Sequence, residues 1–250
     1  GNMYGVVEFY MEAKANNINP IIGCEVYVAP NSRFDRELSH GDDRYYHLIL
    51  LAENNKGYAN LMKIVSIGFT EGYYYRPRVD FETLEKYHEG LICLSACLAG
   101  EIPRYIVRGF YEEAKGIAKK YQDCFGKDNF FLELQDHGIS DQKLVNQQLL
   151  RMSDELGIPL VCTNDVHYTY DTDVEAHDVL LCIQTGKTVA DEDRMRYEGG
   201  QFYVKSEEEM RALFPYALQA VENTQKIADR CQVTLEFGNY KIPKYEVPEG

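Results

Sequence analysis

The chain contains no tryptophan, no apolar run long enough to cross a membrane and no secretory signal. Because a membrane-spanning helix needs about 20 consecutive apolar residues, we expect a cytoplasmic protein with no membrane partner. Its seven cysteines, an odd number, form no Cys-x-x-Cys pair and follow no regular spacing. That pattern favours reduced thiols in a cytosolic protein over a disulfide framework.

A surplus of basic residues is also missing. Asp and Glu total 40 against 26 Lys and Arg, which gives a net charge of -14. A protein that binds duplex DNA on its own usually carries a basic surplus or a basic stripe. The acidity instead suits a site that collects cations, or a domain that leaves nucleic-acid binding to other parts of a larger protein.

The sequence has no P-loop, no Gly-rich dinucleotide fingerprint, no nucleophile elbow and no internal repeat. Apolar stretches typical of strands alternate with amphipathic stretches typical of helices, and this alternation predicts an α/β fold with a mainly parallel sheet or barrel. A length of 250 residues is ordinary for a single barrel. The predicted strands are 20–28, 45–51, 90–95, 129–135 and 158–162, and the predicted helices are 1–17, 57–69, 111–125, 141–156, 173–185 and 218–230. The intervening stretches 30–44, 72–80 and 191–200 are predicted loops, and the sequence Ser206 to Glu209 predicts a capping box at a helix start.

Polar side chains follow the last predicted strand. Asp165 and His167 come just after the apolar run 158–162, and in extended backbone two residues at this spacing point to the same face. A carboxylate and an imidazole presented together suit a divalent metal or acid-base chemistry. The alternative is that Asp165 caps the next helix and that His167 is an ordinary surface residue.

Similar polar residues lie on or just beyond the other predicted strands. Glu25 stands among apolar neighbours, where an unpaired carboxylate is costly, so it needs a metal or another cation. Taken alone, His47 is typical of a hydrogen-bonded core histidine and Cys97 of a small core residue. Polar residues recur in five strands, however, and this pattern is typical of the mouth of an α/β barrel, where side chains from several strands converge on one site. The residue types favour zinc, iron or manganese over calcium. The candidate set is Glu25, His47, Cys97, Glu133, Asp165 and His167, and His137 is expected to line the same site.

Arg76 and Arg78 flank a proline beside three tyrosines in the predicted loop 72–80. Two guanidinium groups in a stiff loop predict a phosphate contact. The alternative is that the arginines only stack on the aromatic rings.

Ordered motifs along the whole chain resemble the polymerase and histidinol phosphatase (PHP) domain of bacterial DNA polymerase III alpha subunits. The stretches that carry the resemblance are GNMYG (1–5), IIGCEVYV (21–28), YHLILLAEN (46–54), YYRPRVD (74–80), LSACLAGEIP (94–103), LELQDHG (132–138), NDVHY (164–168), AHDVLLCIQTGK (176–187), FYVKSEEEM (202–210) and ENTQKIADRC (222–231).

The resemblance implies a distorted (β/α)7 barrel over residues 1–190, followed by a helical extension and linker, 191–250, that leads toward the palm domain of the polymerase. It also implies a cluster of divalent metals, Zn, Mn or Fe, at the barrel mouth. The family's ligand motifs map onto Glu25, His47, Cys97, Asp165 and His167. In some members this site is associated with phosphoester hydrolysis, as a 3′–5′ exonuclease or a pyrophosphatase.

The sequence departs from the family pattern at its beginning. The family starts with a strand bearing a His-x-His motif, and a second strand ends in an Asp-His pair immediately before the Gly-Asn at which this sequence begins. This sequence does not include these two strands or their motifs. We therefore expect a fragment that lacks the first two strands and four metal ligands, binds metal only partly or not at all and has little phosphoesterase activity. The gap in the barrel wall would favour self-association. The carboxylates of nucleotidyl transfer, with their Mg, belong to the palm domain downstream.

Three functions follow from these expectations. The first is a metal-site domain of a replicative DNA polymerase, whose partners are primer-template DNA and other replisome subunits. The second is a stand-alone PHP phosphoesterase acting on a small phosphate ester, against which the polymerase-like segment 176–250 argues. The third is a scaffold without catalysis that binds a separate proofreading exonuclease subunit.

Overall fold

The computed structural model describes residues 1–37 and 43–239. The described elements, in chain order, are α1 Val6–Ala15, β1 Gly23–Val28, β2 Tyr46–Ala52, α2 Asn55–Thr70, β3 Tyr73–Tyr74, β4 Arg76–Val79, α3 Phe81–Tyr87, β5 Leu91–Leu94, α4 Glu101–Val107, α5 Tyr111–Phe125, β6 Phe130–Leu134, α6 Ser140–Leu156, β7 Leu160–Cys162, α7 Val174–Thr185, α8 Glu207–Leu213 and α9 Leu218–Arg230. Two short 3₁₀ turns occur at Asp171–Asp173 and Glu198–Gly200. No helix in these two ranges has the length and apolar character that crossing a bilayer requires.

The strands form one sheet in the order β3-β4-β1-β2-β5-β6-β7. Strands β5, β6 and β7 are parallel, as predicted, but β2 runs antiparallel to both of its neighbours, β1 and β5. The reason is the connection between β1 and β2: its described residues, 29–37 and 43–45, contain no helix, and a parallel return would need a long crossover. The sheet is therefore mixed, and the α/β class is confirmed.

The two outermost strands, β3 and β7, each have one neighbouring strand among the residues that the structure describes. The sheet is thus open at both ends, and an open edge can pair with a further strand. Closure into a seven-stranded barrel stays a prediction, and so does the boundary between residues 190 and 191. The segments on the two sides of that boundary are in contact. Asn223 of α9 donates from its side-chain amide to the Leu160 carbonyl of β7 at 2.8 Å.

The sheet is buried differently along its width. Strands β5, β6 and β7 are buried on both faces, with the main core on one side and a smaller cluster, which includes Ile92 and Ile227, on the other. In β1 and β2, buried and half-buried residues alternate. The buried residues, such as Val26 and Leu48, belong to the main core, while Glu25 and His47 lie on the half-open face. This half-open face is where the candidate site forms.

Most helix boundaries follow the sequence pattern. The predicted bounds of α5 and α9 are reproduced, and the capping box is present: the Ser206 amide donates to Glu209 Oε2 at 2.7 Å and the Glu209 amide to Ser206 Oγ at 3.2 Å. Helix α1 begins at Val6 rather than Gly1. The predicted loop 72–80 is instead the β3–β4 hairpin, followed by Asp80 as the cap of α3, whose Oδ1 accepts from the Thr83 amide at 3.0 Å.

Candidate metal centre

Three potential metal ligands meet on the half-open face of the sheet. In the antiparallel β1–β2 pair, Tyr27 lies opposite His47, so Glu25 is diagonal to the histidine on the same face. Glu25 Oε1 lies 3.1 Å from His47 Nδ1, and Cys97 Sγ lies 3.6 Å from the same nitrogen. One ligand atom from each residue lies within 4.8 Å of the other two. A carboxylate, an imidazole and a thiol at this spacing match the donors of a transition-metal site.

Cys97 reaches this cluster because the loop after β5 is tied to the start of β2. The His47 amide donates to the Ala99 carbonyl at 3.0 Å, and the Gly100 amide donates to the Cys97 carbonyl at 2.8 Å. Gly100 is required at this tight turn, since a Cβ there would lie 2.3 Å from the Ser95 carbonyl oxygen. The backbone thus fixes the thiol beside the imidazole independently of any metal.

Asp165 and His167 line the same cavity, but not by the predicted geometry. Strand β7 ends at Cys162, and Asp165 has a left-handed φ of 43°, so the expected extended backbone is wrong. The segment 201–203 holds this turn: the His167 amide donates to the Phe202 carbonyl at 2.8 Å. His167 Nδ1 then lies 2.7 Å from the Asp165 carbonyl oxygen and 3.9 Å from Asp165 Oδ1. Asp165 does not cap a helix, because α7 begins only at Val174.

The electrostatics of these residues favour a bound cation. Burial, together with the charge of Asp165, raises the pKa of the Cys97 thiol to about 12. Burial also raises the pKa of Asp165, and the neighbouring Glu25 adds to that effect while His167 opposes it. Burial opposes ionisation of Glu25 as well, but hydrogen bonding and charge from His47 outweigh it and hold its pKa below the ordinary value. A divalent cation would stabilise all three anionic forms at once.

The five candidate ligands open into one cavity of about 780 Å³. Arg76 also lines it, and its guanidinium carbon lies 5.9 Å from the centre of the Tyr27 ring. The remaining walls include two further tyrosines, one further arginine and one further histidine. The cavity thus combines an acidic, ligand-bearing floor with basic and aromatic walls.

The structure contradicts the prediction that Arg78 contacts a phosphate. Arg78 is 0% exposed and does not line the cavity. Its guanidinium donates to four backbone carbonyls, those of Gly72 at 3.3 Å, Arg44 at 3.2 Å, Arg33 at 3.3 Å and Asp35 at 2.5 Å. Arg78 therefore joins surface loops to the β3–β4 hairpin.

Glu133 and His137 are buried next to the cavity without lining it. Both ring nitrogens of His137 have partners: Nδ1 lies 2.8 Å from Gln142 Nε2, and Nε2 lies 2.8 Å from the Asn164 carbonyl oxygen. The ring also stacks on Phe202, with centroids 3.8 Å apart. His137 is therefore a structural support for the 164–167 turn rather than a free ligand in this arrangement.

Sequence reasoning missed several cavity residues because they lie in loops without periodicity. Arg196 and Tyr197 belong to the predicted charged loop, and the Tyr197 ring lies 4.5 Å from that of His167. Arg194 anchors this loop to α7 by two contacts of 2.6 Å with Asp178. Arginines interleaved with a tyrosine were the one signal that could have marked this segment.

Comparison with known proteins supplies a family. The PHP domain profile matches residues 1–137, more than half of the chain. Three similar relatives are each named DNA polymerase III subunit alpha: from Treponema pallidum, 48% identical over 248 residues; from Borreliella burgdorferi, 47% over 249; and from Thermus aquaticus, 44% over 257. The alignments cover 99%, 99% and 100% of this chain but only 21%, 22% and 21% of the relatives. The chain thus spans about a fifth of their length.

Proposed function

The chain belongs to the PHP domain family, and we propose that its cavity is a divalent-metal site for phosphoester hydrolysis within a replicative DNA polymerase. The observation that carries this proposal is the convergence of Glu25, His47 and Cys97, whose ligand atoms lie within 4.8 Å of one another. The relatives above are polymerase subunits, which favours the replicative setting over a stand-alone enzyme.

The donor set fits zinc, manganese or iron, because a thiol and an imidazole accompany the carboxylates. Glu25, His47 and Cys97 would hold one ion, and Asp165 and His167 offer further donors across the same cavity. Metal bound there would polarise the phosphoryl group and lower the pKa of a bound water.

The protein's own residues provide the substrate contacts. Arg76 and Arg196, both exposed at the cavity, supply positive charge for phosphate oxygens on an otherwise acidic protein. Tyr27, Tyr45 and Tyr197 offer ring faces on which a nucleobase can stack. The 3′ end of a single DNA strand combines these two chemistries, and we propose it as the substrate.

We also propose that further strands cover the open sheet edges in the whole polymerase and complete the distorted (β/α)7 barrel, with residues 191–250 leading toward the palm domain. In the isolated chain the same edges favour self-association. A dimer in light scattering would support self-association of the isolated chain through these edges, and a monomer across a wide concentration range would count against it.

The metal site is tested by replacing one thiol and comparing it with another. Cys97→Ser removes a candidate ligand, while Cys124→Ser removes a half-buried thiol on α5 as a matched control. Zinc affinity is measured by calorimetry after chelator treatment. Chelator-sensitive 3′–5′ hydrolysis is measured separately on a DNA primer. We expect Cys97→Ser to weaken zinc binding by at least about 100-fold, more than loss of a residue that only supports a ligand, and Cys124→Ser to leave it unchanged. Equal affinity in both variants, or no zinc binding by the unmodified chain, would contradict the proposal.

A second candidate function is docking of a proofreading exonuclease subunit. Helix α7 favours it, because Leu180 and Ile183 are 60% and 72% exposed and form an apolar face beside the cavity. Replacing both by Ser should abolish binding of such a subunit without changing zinc affinity. Unchanged binding in that double variant would exclude this face.

A further inference from the structure

Glu133 of β6 is an ionisable residue in the protein interior, 5% exposed. Its two oxygens accept three hydrogen bonds. Oε2 accepts from the Ala96 amide at 2.8 Å, while Oε1 accepts from the Thr163 hydroxyl and from Gln135 Nε2 at 3.2 Å. Ala96 directly precedes Cys97, and Thr163 lies two residues before Asp165. One carboxyl group therefore joins the two loops that carry candidate ligands.

Further bonds reinforce this connection at the carboxyl ends of three adjacent parallel strands. The Glu133 amide donates to Ser95 Oγ at 2.9 Å, and Gln135 Nε2 also donates to Thr163 Oγ1 at 3.1 Å. The Thr163 amide donates to the Leu134 carbonyl at 3.0 Å. The loops after β5 and β7 are thus fixed relative to β6, the strand between them.

The backbone that Glu133 holds is conformationally unfavourable without support. Ala96 has a φ of 65° and Asp165 a φ of 43°, both in the left-handed region that residues with a Cβ avoid. The Ala96 amide hydrogen bond stabilises the first of these turns directly. Because Cys97 follows that turn, its direction depends on the same hydrogen bond.

We infer that Glu133 is a positioning residue that sets the Cys97 and Asp165 loops at the separation their common metal cavity requires. This inference rests on the proposed metal-binding function. A carboxylate suits the task because three donors converge on it, and both of its oxygens accept. An apolar side chain would avoid the cost of burying a carboxyl group but would leave the Ala96 amide unpaired. Positioning of ligands by such supporting residues governs metal affinity in other proteins.

The test compares two substitutions at 133 with a control. Glu133→Gln keeps one acceptor for the Ala96 amide but places an NH₂ group where two donors already point, and Glu133→Ala removes all three bonds. Glu101→Gln is the control: Glu101 is a half-buried carboxyl group, and it accepts from the Tyr121 hydroxyl at 3.2 Å. From the 10- to 100-fold range typical of supporting residues, we expect zinc affinity to fall about 10-fold in Glu133→Gln and about 100-fold in Glu133→Ala. Glu101→Gln should match the unmodified chain.

Amide hydrogen exchange in the metal-free protein supplies a readout that needs no bound metal. Exchange at Ala96 should accelerate in both Glu133 variants, more in Glu133→Ala, while exchange in β1 stays unchanged. A folded Glu133→Gln with unmodified zinc affinity and Ala96 exchange would overturn the inference, even if Glu133→Ala fails to fold. If the unmodified chain binds no zinc, the proposed function fails, and the exchange data alone decide whether Glu133 holds the loops.

Discussion

Arg76 and Arg78, which are separated by one proline, should respond differently to replacement: loss of Arg78 should lower stability, and loss of Arg76 should weaken substrate binding. Arg78 is fully buried, and its guanidinium donates to four carbonyls at 2.5 to 3.3 Å. In the described part of the chain no carboxylate lies within ion-pair distance of it, so its partners are these carbonyls and the Tyr74 ring, whose centre lies 5.0 Å from the guanidinium carbon. A hydrogen bond to a charged group contributes about 1.5–3 kcal/mol, and four would total at least about 6 kcal/mol. The desolvation of the guanidinium offsets part of this sum.

For Arg78→Met we therefore expect the free energy of unfolding to fall by about 3–5 kcal/mol, since the substitution leaves the carbonyls unpaired. At about 2–4 °C per kcal/mol for a chain of this size, the melting temperature should fall by roughly 10 °C. Arg76→Met is the matched control, because Arg76 is exposed at the cavity and its loss should change stability by less than about 0.5 kcal/mol.

The assay is urea unfolding together with binding of a single-stranded DNA 3′ end. Arg78→Met should unfold at lower urea with an unchanged slope and, at temperatures where it is folded, bind DNA like the unmodified chain. Arg76→Met should show the reverse, with normal stability and weaker binding. The reasoning is refuted if Arg78→Met is as stable as Arg76→Met, or if it loses DNA binding while fully folded.

Three further predictions concern pH, glycines and a helix cap. Burial raises the pKa of Glu133 to about 7 from 4.5, so its contribution to stability is complete below about pH 4.5 and is lost, by up to about 3 kcal/mol, as the pH rises through 7. In metal-free buffer, the unfolding free energy of Glu133→Gln relative to the unmodified chain should accordingly be higher at pH 8 than at pH 5, and no change would contradict the burial effect. Gly57→Ala should destabilise the protein by about 1–3 kcal/mol in thermal melts, because the added Cβ would lie 1.7 Å from the Gly90 carbonyl oxygen. Gly116 lies in open space within α5, so Gly116→Ala should stabilise the protein by about 0.5–1 kcal/mol in the same measurement. Ser206→Ala should cost about 1 kcal/mol in urea unfolding, and no loss would show that its capping box is not needed.

The sequence pattern predicted the parts of the fold that depend on local periodicity. Helices α5 and α9 have the expected bounds because their apolar residues recur at helical spacing and a glycine or a change of pattern ends them. Strands β5, β6 and β7 read as apolar runs because both of their faces are buried. Helices α3 and α4 were missed because each has only seven residues, too few for a periodic signal.

Sequence patterns could indicate candidate ligands that follow strands. They could not indicate residues whose position depends on tertiary contacts. The arginines of β4 show the difference: by sequence spacing both share one face of a strand, yet only Arg76 reaches the cavity. Arg78 is buried because the chain around residues 33–35, more than forty residues earlier, lies over it. No pattern local to residues 72–80 contains that information. The same holds for Tyr197, which reaches His167 only through the anchored loop that follows α7.

Strand direction decides whether His47 can belong to the site at all. Cys97 and Asp165 follow parallel strands, so they lie at the carboxyl edge of the sheet, whereas His47 stands at the second residue of β2. In an all-parallel sheet it would lie at the opposite edge, about 20 Å away for a strand of seven residues. The antiparallel direction of β2 brings its start to the edge where β5 ends, next to the Cys97 loop. Residues 30–44 are polar and turn-rich, and a parallel crossover usually contains a helix. The strand–helix alternation of the whole chain nevertheless predicted a mainly parallel sheet, so the direction of β2 was not predicted. The convergence of imidazole and thiol therefore depends on the loop between β1 and β2 as much as on the two residues themselves.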